Sequence, residues 1–186
     1  VSSPGYGEQT GHKKKELFTM KIFSANIEDL RTLYISDLKK AFDMEQKITD
    51  ALPTMIDKST DPQLATAFRD HLRQTEGHVA SVEGLLRKAT GDADTMTCKA
   101  ISGLITEAQD SIKDASDASI RDITLIACGR QVEHHEIAVY GTLRTWANLL
   151  GLTDDARVLD SILSEEKQAD VLLSSISDGV NLQAAA

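Results

Sequence analysis

Four stretches of this chain place apolar residues at alternating steps of four and three, the spacing of helices that turn one face toward a shared core. The first, between Ser24 and Lys58, carries the seam Tyr34, Leu38, Ala41, Glu45, Ile48, Leu52 and Met55, with Pro53 predicting a local kink. The second opens at Asp61-Pro62, a capping residue followed by proline at the first helical position, and stops at Gly91. Its seam is Leu64, Phe68, His71, Thr75, His78, Val82 and Leu85. The third covers Ile120 to Leu150 and ends at Gly151, with Asp122, Ile126, Gly129, Glu133, Glu136, Tyr140, Leu143, Ala147 and Leu150 on its seam. The fourth begins near Thr153-Asp154-Asp155 and runs through Leu159, Leu163, Glu166, Asp170, Leu173 and Ser177. A neighbouring row of Ile162, Ala169, Leu172 and Ile176 widens its buried face.

Short loops join the first helix to the second and the third to the fourth, so each pair reads as an antiparallel hairpin. Residues 91 to 120 carry turn residues and then a shorter amphipathic segment with Ile101, Leu104, Ile105, Ala108 and Ile112, a crossover between the hairpins. The expected fold is all-α: a four-helix bundle with a long crossover that carries a short extra helix. The bundle domain spans residues 21–180. Residues 1–20, rich in Gly and Ser around Lys13-Lys14-Lys15, predict a flexible tail, and residues 181–186 a loose C-terminus.

A chain of 186 residues suits one well-buried domain. Its net charge of −9 with scattered basic residues argues against nucleic acid or an anionic membrane as partner. No apolar run reaches the roughly 20 residues needed to span a bilayer, so a cytoplasmic protein is expected. Cys98 and Cys128 lack any Cys-x-x-Cys spacing and read as small buried thiols.

What the seams do not explain is their polar middle. With hairpin turns centred near residues 60 and 152, Glu45 falls level with His71, Thr75 and His78, while Glu136 and Tyr140 fall level with Glu166 and Asp170. Glu45, Glu133, Glu136, Glu166 and Asp170 would bring five negative charges into one buried layer, with no Lys or Arg on the same seams. An ionised side chain in an apolar interior costs several kcal/mol unless it is paired, hydrogen-bonded or bound to metal. Two iron or manganese ions are the economical counter-charge, because these metals accept carboxylate oxygens together with one or two imidazoles. On the second helix His71 is the first choice of ligand, His78 the second and Glu76, off the seam, the third. Thr75 is expected to bond the backbone carbonyl four residues back or to support a ligand. Tyr140 either hydrogen-bonds a ligand carboxylate or is an ordinary bundle tyrosine with its hydroxyl at the edge.

Leu72 and Thr75 after His71, the run Gln131-Val132-Glu133-His134 continuing to Tyr140-Gly141-Thr142-Leu143, and Glu165-Glu166-Lys167 before Asp170 resemble the YciE/YciF family of bacterial ferritin-like proteins. The resemblance covers about Phe23 to Asp178. It implies a ferritin-like di-metal carboxylate bundle, a link to general stress responses and a homodimer, and it carries no settled biochemical activity. The common ferritin-like pattern has Glu-x-x-His on two helices, whereas here Phe68 stands three residues before His71 and the fourth helix offers Glu166-x-x-x-Asp170. Three functions follow as expectations. The first is redox chemistry on dioxygen or peroxide at a di-iron or di-manganese site. The second is a non-enzymatic stress protein with a structural metal site, and the third is iron storage.

Overall fold

The computed structural model describes residues 27–184, with side chains described as far as residue 180. The expected flexible tail, residues 1–20, lies outside the described residues. Among the described residues five helices follow one another: α1 (Leu30–Lys58), α2 (Pro62–Thr90), α3 (Lys99–Asp114), α4 (Ala118–Leu149) and α5 (Thr153–Ala184). Among the described residues, no helix is long and apolar enough to cross a membrane.

Local chemistry sets the boundaries. Asp29 caps α1 by accepting from the Thr32 amide at 2.7 Å, which starts the helix at Leu30 instead of the expected Ser24. Asp61 caps α2 through the amides of Gln63 and Leu64, and Pro62 occupies the first turn, where its missing N–H costs nothing. Gly91 and Gly151 end α2 and the α4 turn at φ 89° and 71°, in the left-handed region that glycine enters freely. Gly179 takes no such conformation, and α5 continues through it to Ala184 where loose chain was expected.

The four long helices form a ring in which α1 packs on α2 and α4, and α5 packs on α4 and α2. A buried aspartate at each end gives the directions. At one end Asp122, near the start of α4, accepts from the amides of Thr60 and Asp61 at 2.8 Å each and from the Thr60 hydroxyl at 2.6 Å. At the other end Asp155, in the first turn of α5, accepts from the Tyr34 hydroxyl at 3.3 Å and the Lys88 ammonium at 2.6 Å. Every lateral pair is therefore antiparallel, with α1 parallel to α5 and α2 parallel to α4 across the diagonals. The crossover helix α3 returns along the outside of α1 and α4, with Ile101 and Ala108 buried. The Cys98 amide, just before α3, donates to Asp43 at 2.7 Å, and Lys47 reaches Ser102 at 2.9 Å.

The seams are buried as their spacing requires, apart from Met55, Leu150, Asp170 and Ser177, which are half-buried. Leu172, placed on a widened apolar face by the sequence, is 48% exposed, and its neighbour Val171 is 68% exposed. Gly129 sits mid-helix because a Cβ there would meet Leu173 Cδ1 at 3.1 Å and Phe68 Cε1 at 3.2 Å. Both cysteines are buried free thiols, as expected.

Replacing Asp122 with alanine would strand two backbone amides and one hydroxyl at the turn between α1 and α2. The expected loss is about 2–3 kcal/mol of unfolding free energy, to be read from urea unfolding with an unchanged m-value.

Candidate metal centre

Halfway along the bundle, each long helix interrupts its apolar seam at the same height. Helix α1 supplies Glu45; α2 supplies His71 and His78, two turns apart on one face; α4 supplies Glu133 and Glu136; and α5 supplies Glu166. All six are buried, and Glu45, Glu136 and Glu166 have no exposure at all. They fall into two groups whose ligand atoms are close enough to hold a metal ion: His71, Glu133, Glu136 and Glu166, and Glu45, His78 and Glu166. Glu166 belongs to both.

In the first group, His71 Nε2 lies 3.3 Å from Glu133 Oε1 and 4.0 Å from Glu166 Oε2. In the second, His78 Nδ1 lies 2.9 Å from Glu166 Oε1 and 3.8 Å from Glu45 Oε2. These approaches are not aligned as hydrogen bonds. Among the described residues, every buried side-chain nitrogen or oxygen without a hydrogen-bond partner belongs to these six residues. The set includes both oxygens of Glu136 and of Glu166, and both ring nitrogens of His71. Buried polar atoms elsewhere in the bundle, the end aspartates Asp122 and Asp155 included, are partnered.

Burial dominates the protonation of the layer. It raises the carboxyl of Glu133 to about 10 and that of Glu45 to about 8, and the charge of Glu166 pushes both in the same direction. Glu136 is held well above the carboxylate range by burial, then by the charges of Glu166, Glu45 and Glu133. His71 is lowered by burial, so its imidazole is neutral at pH 7. Burial also works against the charged form of His78, but Glu166, Glu45 and Glu165 outweigh it and raise the group to about 9. Without a cation, the layer keeps protons that exposed groups would have lost.

The remaining predicted residues divide. Thr75 donates its hydroxyl to the His71 carbonyl at 2.9 Å, the back-bond expected of it. Tyr140, fully buried, donates to Glu45 Oε1, which holds that carboxylate from α4. Glu76 is exposed and takes no part. Asp170, expected among the ligands, is a correction: it turns away to Arg130 Nε at 2.9 Å and His134 Nε2 at 3.5 Å. Its position four residues after Glu166 leaves it on the flank that α4 meets, where a guanidinium already neutralises it. His78, the second choice, is as deeply placed as His71.

One contributor escaped the sequence altogether. Glu165 Oε2 lies 2.9 Å from His78 Nε2. A neutral His78 that donates from Nε2 to Glu165 turns its Nδ1 lone pair inward, toward Glu45 and Glu166, as histidines that bind metal usually do. The only signal was an acidic residue beside a seam acid, which the spacing assigns to solvent.

Comparison with known proteins bears on this arrangement. The family described as Domain of unknown function (DUF892) matches residues 29–186. Protein YciF of Escherichia coli (strain K12) is 33% identical over 161 residues, which is 86% of this chain and 97% of YciF. The crystal structure of the E. coli stress protein YciF superposes with a TM-score of 0.78 at 32% identity, covering 82% of this chain and 97% of that one. YcfI from Rhodopseudomonas palustris gives a TM-score of 0.79 at 36% identity with the same coverage. A Xanthomonas campestris protein at 19% identity and a TM-score of 0.67 shares the fold. The helical bundle, the match along nearly the whole described chain and the identity to YciF together make this chain a member of the YciF-like DUF892 family.

Proposed function

We propose that this protein is a stress-linked, ferritin-like bundle that holds two iron or manganese ions in its buried layer and uses them for redox chemistry on dioxygen or peroxide. The observation that carries the reading is that, among the described residues, the unpartnered buried side-chain nitrogens and oxygens are confined to six residues of one layer, every one a metal-ligand type. His71 and Glu133 would hold one ion, Glu45 and His78 the other. Glu166 would serve both, and Glu136 adds a carboxylate to the first. Two ions held by these residues would supply redox electrons to a small oxygen species, with the surrounding carboxylates compensating their charge. Tyr140 fixes the Glu45 carboxylate and Glu165 orients His78, so these two donors are positioned by the protein itself. The E. coli relative is described as a stress protein, which supports the stress link. A cytoplasmic homodimer without nucleic-acid or membrane partners completes the proposal.

A structural role for the same metals is favoured by one feature: the six donors come from all four long helices, so ions bound there would tie the bundle at mid-height. Loss of stability on metal removal, with no turnover of peroxide or dioxygen in the loaded protein, would select that reading. A native mass near that of a dimer would exclude a storage cage.

Protein purified without a metal-chelating tag should carry about two iron or manganese ions per chain by elemental analysis. Glu166→Ala should lose both ions and Glu133→Ala at least one. Asp170→Asn should keep both, because Arg130 and His134 already engage that carboxylate. No bound metal after reconstitution with either ion would overturn the reading.

The protonation of the layer gives a second expectation. Carboxyls raised in the folded state hold protons that the unfolded chain releases near its ordinary carboxylate range. His78 likewise contributes stability that is lost as pH rises through its raised value. Both effects have one sign and outweigh the opposite effect of His71, whose lowered value favours the folded state as pH rises through the imidazole range, so the metal-free protein should become less stable from about pH 5 to about pH 9. Metal-loaded protein should show a flatter profile in thermal unfolding, because cations replace the retained protons, and metal uptake near neutral pH should release protons.

A further inference from the structure

The metal layer is approached from two sides of the bundle, and the two approaches differ in chemistry. Between α1, α3 and α4 lies a cavity of about 90 Å³ walled by Ile48, Leu52, Phe68, Ile105, Ala108 and Cys128. It extends from the exposed Asp50, Thr54 and Gln109 inward to His71 and Glu133. On the opposite flank, between α2 and α5, a cleft of about 200 Å³ reaches the same His71 and Glu133 past Asp70, Gln74 and Gln168. Phe68 stands in the wall of both.

Water held inside a protein needs two to four polar partners, and between the polar mouth at Asp50, Thr54 and Gln109 and the inner His71 and Glu133 the cavity is walled by Ile48, Leu52, Phe68, Ile105, Ala108 and Cys128. His71 and Glu133 are among the six residues whose buried atoms lack partners, and they line both openings. The stretch between these two polar ends is apolar, and an apolar hollow stays dry and takes compact apolar guests. The crossover helix makes it: α3 lies over α1 and α4, and its small Ala108, with Cys128 of α4, leaves a space that larger side chains would close. Maintaining a void lowers stability in proportion to its volume, so one that ends on the proposed ligands is a site rather than a packing lapse.

We propose that the cavity between α1, α3 and α4 is a binding site for a compact apolar molecule of the dioxygen class. It would be held against the His71–Glu133 end of the layer, while hydrated solutes use the cleft between α2 and α5. The identity of the guest rests on the proposed metal reading; the existence of the site does not.

Xenon is the probe. Crystals of the full chain as purified are pressurised with xenon, and the same crystals are analysed for metal. The expected result is a xenon peak between Phe68, Ile105 and Ala108. The peak should be lost in Ala108→Leu and in Ile105→Phe, while both variants keep the metal content of the parent. Xenon bound in crystals that hold no metal would keep the apolar site and remove the metal reading. Ordered water in the cavity, or no xenon in crystals that do hold metal, would overturn the proposal and leave the metal reading standing.

Discussion

A carboxylate buried away from water must find a positive or donating partner, and the architecture of this protein turns on where it does and does not find one. Asp122 and Asp155 show the satisfied case: each closes one end of the bundle by collecting donors from neighbouring segments. Glu45, Glu133, Glu136 and Glu166 show the other. They meet at mid-height with two imidazoles, and their free oxygens turn toward one another. Side chains that repel in this way stay together only when something between them neutralises the charge, be it retained protons or metal cations. The antiparallel ring provides the common height, because each hairpin folds the middle of one seam onto the middle of the next.

Much of this was legible in the sequence, because helical spacing is a local property. The steps of four and three placed Glu45, His71, Glu133, Glu136 and Glu166 on buried faces before any tertiary contact was known, and the capping residues and terminal glycines marked most helix ends. What escaped depends on pairing between helices. Asp170 shares a face with Glu166, and nothing in α5 alone says that Arg130 of α4 will claim it. The partner that orients His78, Glu165, lies off the seam and looks like a solvent-facing acid, so its role could not be read from spacing. Leu172 belongs to an apolar row by spacing, yet α5 turns that row partly outward. The start of α1 moved because Asp29 caps it, a choice that several polar residues near residue 24 could equally have made.

The layer also shows how stability and function are divided within one bundle. End clamps, capped helices and apolar seams supply the fold, while the middle tolerates unpartnered carboxylates and an adjoining void that a purely structural bundle would fill. Tyr140, Thr75 and Glu165 occupy the boundary between the two regimes. Each uses a hydrogen bond to fix a residue of the layer without joining it. Tyr140 and Glu165 thereby fix the side chains of Glu45 and His78, part of what a preorganised cation site requires.

The most direct measurement is an anomalous difference map from crystals of the iron-loaded protein, with data taken on both sides of the iron absorption edge. Two peaks should stand inside each chain, one against His71 and Glu133 and the other against Glu45 and His78. Both should contact Glu166, and neither should contact Asp170. A map without peaks inside the bundle, or with peaks that avoid Glu166, would contradict a shared-carboxylate centre.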